Sequence, residues 1–189
     1  MSSALIVAKS EKTTQSIMAL LKEEGYIDLE TADSATDAKK YAKQKAFDLV
    51  FIYTPLTDEI GLNLSMNIGE YANSGVFIAV SGETAARAGE KLSVHGVVTL
   101  VKPITVEAVH QSVLALRALK CRIGIMEREN EKLKIQLEQI KVINRAKCVL
   151  MQCLNMTEQQ AHKYLEKQAM DLRVSKKYVA EQVLNTYEI

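Results

Sequence analysis

With 189 residues, 48% of them hydrophobic, and only 8 Gly and 2 Pro, the chain has the make-up of a folded, helix-rich protein. There is room for one ordinary domain with an appendage, or for two small domains. The net charge of +1 conceals an asymmetry: residues 1–119 hold 11 Lys and Arg against 14 Asp and Glu, and residues 120–189 hold 13 against 9. Within residues 141–177 the count is 8 against 3, which makes the rear of the chain the place to look for a polyanionic partner.

No apolar run approaches the roughly 20 residues needed to cross a bilayer. The first residues lack the basic, apolar and small-residue succession of a secretory signal, so a soluble, cytoplasmic protein with no membrane partner is expected. Cys121, Cys148 and Cys153 are odd in number, form no CxxC and have no His at ligand spacing. That argues against a structural metal site or a disulfide framework, and small apolar packing is the expected role of each.

In chain order, residues 4–8 form a short apolar run that reads as a buried strand. Residues 13–24 carry Ile17, Leu20 and Leu21 at helical spacing and stop at Gly25. Residues 27–31 read as a second, weaker strand. Ser34 or Thr36 caps a helix bearing Ala38, Tyr41 and Ala42. Residues 48–53 are a third strand with a continuous apolar interior, the pattern of a strand covered on both faces. Helix over 63–72, strand over 76–80, helix over 85–94 and strand over 97–101 follow, and a long helix begins at Thr105. Five strands alternating with helices predict an α/β fold with a five-stranded, parallel, doubly wound sheet over residues 1–117.

Residues 116–147 carry a heptad run. With Leu116 at a, the a series is Leu116, Ile123, Asn130, Leu137 and Asn144, and the d series is Leu119, Met126, Leu133, Ile140 and Lys147. Such a seam needs a second helix to bury it. An a-position Asn130 pairing with its own copy fixes register and strand number in a parallel two-stranded coil. The seam therefore reads as a homodimer interface over 118–144, formed by Leu116, Ile123, Met126, Asn130, Leu133, Leu137 and Ile140; the plainer reading is a packing face within one chain. Beyond it, Asn155 is a helix stop and Thr157 with Gln160 forms a capping box. The next helix carries Ala161, Tyr164, Leu165, Gln168 and Ala169. Ser175 caps another with Tyr178, Val179, Val183 and Leu184 on its apolar side. Residues 145–189 are thus expected to form a small three-helix domain.

The order of elements over residues 3–117, closing with Lys102-Pro103 after the fifth strand, resembles the flavodoxin-like receiver domain of two-component response regulators. That family transfers a phosphoryl group to an Asp at the end of the third strand, beside an acidic pair that holds Mg²⁺ and a Ser/Thr and a Lys that contact the phosphoryl group. Carried onto this sequence, the hydroxyl is Ser81 and the cation is Lys102. Tyr53 stands at the phosphoacceptor position, Ala8 and Lys9 replace the acidic pair, and Thr99 stands where the family has its switch aromatic. Mg²⁺ requires hard oxygen ligands, and a Tyr hydroxyl does not form the mixed anhydride of an Asp carboxylate. A pseudo-receiver follows, with no metal, no cofactor and no phosphoryl chemistry by the usual route. Asp58, Glu59 and Glu11 lie near enough in sequence to matter only after a rearrangement. Ser81 and Lys102 read as remnants of an anion pocket, or as contacts for a sensor protein or small ligand; Lys102 also reads as an ordinary loop residue before a structural Pro. The resemblance implies a cis Lys102–Pro103 bond.

The rear half resembles the ANTAR domain, the RNA-binding antiterminator module of certain bacterial response regulators. The matching residues are Ala146-Lys147-x-x-Leu150-Met151, Thr157-x-x-x-Ala161-x-x-x-Leu165-x-x-x-Ala169-Met170 and Val179-Ala180, with Cys148 where the family has Gly. The resemblance implies a non-enzymatic regulator whose dimer binds tandem stem-loops in a nascent transcript and so excludes a terminator. Arg145, Lys147, Lys163, Lys167, Gln168, Arg173, Lys176 and Lys177 are the candidate RNA contacts, with Tyr164 or Tyr178 as stacking platforms. Lys147 equally faces the seam, and Tyr164 equally belongs to the core. Three short helices also suit a helix-turn-helix DNA-binding regulator. His95, His110 and His162 are scattered and carry no assigned chemistry.

Overall fold

A computed structural model describes residues 2–71 and 74–187. The chain divides into two compact units, Met1–Lys120 and Cys121–Ile189.

In the first unit the strands are β1 (Ser3–Ala8), β2 (Asp28–Ala32), β3 (Leu49–Tyr53), β4 (Gly75–Val80) and β5 (Val97–Val101). All neighbours are parallel, in the order β2-β1-β3-β4-β5. This is the doubly wound order whose ligand edge lies at the carboxyl ends of β1 and β3. Ala8 and Tyr53 are register partners there, with Ala79 of β4 beside Tyr53. The helices are α1 (Glu11–Glu23), α2 (Ala35–Gln44), α3 (Leu62–Tyr71), α4 (Gly82–Val94) and the start of α5 (Val106–Leu154).

Both sheet faces are covered, as the unbroken apolar strands require. One face packs Val7, Val50, Ile52 and Ile78 against Ala35 and Ala38 of α2, Leu64 and Ile68 of α3 and Leu92 of α4. The other packs Ile6, Phe51 and Phe77 against Ile17 and Leu21 of α1 and Val109 and Val113 of α5. Phe51 and Phe77 meet edge to face, 6.1 Å apart at 77°.

Local chemistry sets the helix starts. Of the two candidate caps for α2, Ser34 is the one used: its hydroxyl accepts from the Asp37 N–H. The helix read over 85–94 begins a turn earlier because Ser81 caps it, accepting from the Thr84 N–H. Gly25, at φ +84°, ends α1 in the left-handed region that a side chain disfavours. Ala72, at the end of the helix read over 63–72, lies outside the described residues. Ile27, read as strand, is exposed and precedes β2.

The second unit closes the end of α5 against α6 (Glu158–Leu172) and α7 (Lys176–Tyr187). Its core is Ala146, Val149 and Leu150 from α5, Ala161, Leu165 and Ala169 from α6, and Val179, Ala180 and Val183 from α7. The expected capping box is present, Thr157 accepting from the Gln160 N–H while the Gln160 side chain accepts from the Thr157 N–H. Asn155 stops α5 with φ 51°, and Arg173 caps α6 with φ 54°, a conformation usually given to Gly.

Two expectations are corrected. Leu116 packs against the receiver core, so close to β4 that a Cβ on Gly75 would meet its Cδ2 at 2.3 Å. It belongs to that core rather than to an exposed seam, because the helix still lies on the sheet at that point. Cys121, Cys148 and Cys153 are all exposed instead of filling apolar gaps.

Candidate functional site

At the carboxyl edge of β1 and β3, Ala8 is buried, Lys9 is exposed and the Tyr53 ring is partly covered. The Lys102 ammonium lies 3.8 Å from the Tyr53 ring centroid, a cation–π contact. It donates to the Thr54 carbonyl oxygen and, at 3.4 Å, to the Thr54 hydroxyl. Burial lowers the Lys102 pKa from its ordinary value. The Lys102–Pro103 bond is cis, and so is Thr54–Pro55.

The remaining polar groups are engaged in local structure. Ser81 caps α4 and shares a 2.9 Å hydrogen bond with the Thr84 hydroxyl. Asp58 accepts from the Ala35 and Thr36 N–H groups at 2.8 and 3.0 Å and from the Thr36 hydroxyl at 2.9 Å, so it sits on the amino end of α2. These donors, the Ala35 N–H first, pull its pKa down to about 2. Glu59 accepts from the Leu64 N–H at 3.1 Å. The Thr99 hydroxyl is buried without a hydrogen-bond partner among the described residues. A Mg²⁺ ion does not fit here: a buried methyl, a Lys and an aromatic ring occupy the places where oxygen ligands would stand. Among the described residues, no group of three or more His, Cys, Asp or Glu is placed to hold a metal.

In the second unit the eight basic and polar candidates separate by their partners. Lys147, its side chain only 17% exposed, donates to Glu158 at 2.8 Å and ties α5 to the first turn of α6. That bond lowers the Glu158 pKa. Lys176 pairs with Glu166, which also faces His162 at 3.2 Å, and Lys177 lies 3.5 Å from Glu181. The Lys176 bond leads the causes that lower the Glu166 pKa.

Lys163 and Lys167 are exposed one turn apart on α6, opposite the buried Ala161, Leu165 and Ala169, and Arg173 is exposed at the α6–α7 corner. None of these three makes an ion pair among the described residues. Gln168 is half-buried and Arg145 is exposed on α5. Tyr164 packs against the domain core, which leaves Tyr178, 49% exposed, as the accessible ring. The sequence reading missed Glu158 and Glu166 as partners; of their contacts only the His162–Glu166 spacing, i to i+4, was visible in sequence.

On α5, Leu119, Ile123, Met126, Leu133, Leu137 and Ile140 are 51–61% exposed, so none of the described residues covers this stripe. Among the described residues, no helix is long and apolar enough to cross a membrane.

The model of the response regulator receiver domain matches residues 4–114, and that of the ANTAR domain matches residues 131–184. The transcriptional regulatory protein PdtaR of Mycobacterium tuberculosis is 27% identical over 184 residues, spanning 96% of this chain and 89% of its own length. Among solved structures, a response regulator receiver domain protein of Clostridium thermocellum aligns with TM-score 0.58 at 17% identity, covering 65% of this chain and 99% of its own. The chemotaxis response regulator CheY4 of Vibrio cholerae aligns with TM-score 0.53 at 19% identity, covering 61% and 98%. At these identities the solved structures speak for the fold, and the domain matches for the family: the chain belongs to the response regulators, with a receiver domain in front and an ANTAR domain behind.

Proposed function

We propose that this chain is an RNA-binding transcription antitermination regulator, without enzymatic activity, that grips tandem stem-loops in a nascent transcript as a homodimer. The observation that carries the reading is the ANTAR match over a closed three-helix core whose outer side bears Lys163, Lys167 and Arg173, free of ion pairs among the described residues. Such cations, beside an accessible Tyr178 ring, suit phosphate contacts and stacking of a splayed loop base. Lys147 and Lys176 serve first to tie neighbouring helices together, Lys177 pairs with Glu181 along its own helix, and all three contribute less to RNA. The uncovered stripe around Asn130 supplies the dimer, and two linked modules favour paired loops over single ones through effective concentration.

The test is gel retardation of an RNA carrying two hairpins, across a salt series. Replacing Lys163 and Lys167 by Ala weakens binding and reduces the salt slope by about one unit for each Lys removed. An unchanged slope removes this surface, and preferential binding of duplex DNA in competition overturns the RNA reading.

The receiver domain, in this proposal, takes no phosphoryl group. Tyr53 and Lys102 lie against each other at the acceptor position, and Asp58 and Glu59 are bound elsewhere. Incubation with acetyl phosphate and Mg²⁺ leaves the intact mass unchanged; a gain of one phosphoryl group refutes it.

A further inference from the structure

The apolar stripe on α5 is bordered by charges whose order carries information about what covers it. In the heptad that puts Leu116 at a, the e positions are Lys120, Glu127, Lys134 and Lys141, and the g positions are Arg122, Glu129 and Gln136. These positions lie beside the seam and set partner choice and orientation in a coiled coil. The two outer cations are already engaged within the chain. Lys120 donates to the Asp48 carbonyl oxygen at 2.9 Å and lies 3.2 Å from its carboxylate, and Lys141 pairs with Glu138 at 2.7 Å. Between them, Arg122, Glu127, Glu129 and Lys134 are exposed, and none makes an ion pair among the described residues.

In a parallel two-stranded coil in register, each g residue lies against the e residue of the following heptad on the other helix. Arg122 then meets the partner's Glu127, and Glu129 meets the partner's Lys134. All four free charges are matched, each pair forms twice, and the pairs bracket Asn130 in the seam. Sliding one helix by a heptad sets Arg122 opposite Lys120 and Lys134 and Glu129 opposite Glu127, leaving Glu129 on Lys141 as the one attraction. In an antiparallel pair over the same stretch, g lies against g. Arg122 and Glu129 then meet the partner's Ile143 and Gln136, which carry no charge.

We propose that Arg122, Glu127, Glu129 and Lys134 make α5 select a second copy of this same chain, parallel and in register. The inference rests on the dimer reading above and adds the direction, the register and the identity of the mate. Apolar a and d residues accept many helices, whereas this charge order is complementary to itself and rejects a chain with like charges at the same places. The parallel arrangement brings both ANTAR cores to the same end of the coil, where one transcript can engage the two together.

The experiment is light scattering over a dilution series of the full chain, at low salt and without RNA. One variant exchanges the g charges, Arg122→Glu with Glu129→Lys; the other exchanges the e charges, Glu127→Lys with Lys134→Glu. Each exchange turns the cross-helix attractions into repulsions and weakens self-association about tenfold or more. Mixing the two variants restores a dimer at concentrations where each alone is monomeric, and so does placing all four substitutions in one chain. A dimeric parent whose g exchange leaves association unchanged overturns this inference and leaves the dimer standing. Failure of the mixture and of the fourfold variant to dimerise also overturns it. A monomeric parent overturns the dimer itself.

Discussion

Asp58 shows how a single carboxylate settles what a loop does. It leaves the β3–α3 loop to accept three hydrogen bonds at the amino end of α2, while the Thr57 N–H and hydroxyl bond the Asp33 carbonyl at 3.2 and 3.0 Å. The loop is therefore fastened to the β2–α2 turn at two adjacent residues. With a folded pKa of about 2 against an ordinary 3.8, the ionised form is the one the fold prefers. Its stabilisation is present above the ordinary carboxylate value and is lost as pH falls through about 2. Asp58→Ala accordingly lowers the melting temperature at neutral pH, and the gap from the parent narrows between pH about 4 and about 2. Circular dichroism melts across that range check it; a gap independent of pH contradicts the assignment.

At the scale of elements, close approach counts for more than propensity. A Cβ on Gly69 in α3 would come 2.1 Å from the carbonyl oxygen of His95, a backbone atom in the α4–β5 turn. Gly69→Ala forces one of the two backbones to move and destabilises the protein by about 1–3 kcal/mol, measured by denaturant unfolding. A neutral substitution there contradicts that packing.

The elements themselves were legible in sequence because apolar periodicity and caps are local signals. Thr157 with Gln160 and the stop at Asn155 were read directly. Contacts across the fold were not. Ser81 matched an anion-pocket hydroxyl by position, yet a Ser before a helix caps it equally well, and here it does. Tyr53 and Lys102 meet only because β3 and β5 flank β4, and Lys176 meets Glu166 only after the chain turns at Arg173. Leu116 carried the heptad spacing of the residues after it, and spacing alone does not reveal that β4 lies under it.

For the whole molecule, the decisive feature is the apolar stripe that none of the described residues covers. Six large side chains more than half exposed are costly in water, and in the proposed dimer a second copy of the same helix would remove that cost. Leu133→Lys places a charge in the middle of the stripe and turns the proposed dimer into a monomer in light scattering. RNA affinity then falls, because two modules no longer act together. A monomeric parent protein, with and without RNA, refutes the dimer.

Helix α5 runs unbroken through residues that belong to the receiver core and residues that belong to the ANTAR core. Between them, from 121 to 141, no side chain joins either core among the described residues. In the proposed dimer that interval would act as a ruler with seven-residue graduations. Duplicating residues 131–137 adds one graduation and returns every later side chain to its angular phase along the seam, whereas adding three or four residues rotates the stripe away from its mate. Natural length variants of such proteins should therefore differ by whole heptads in this interval.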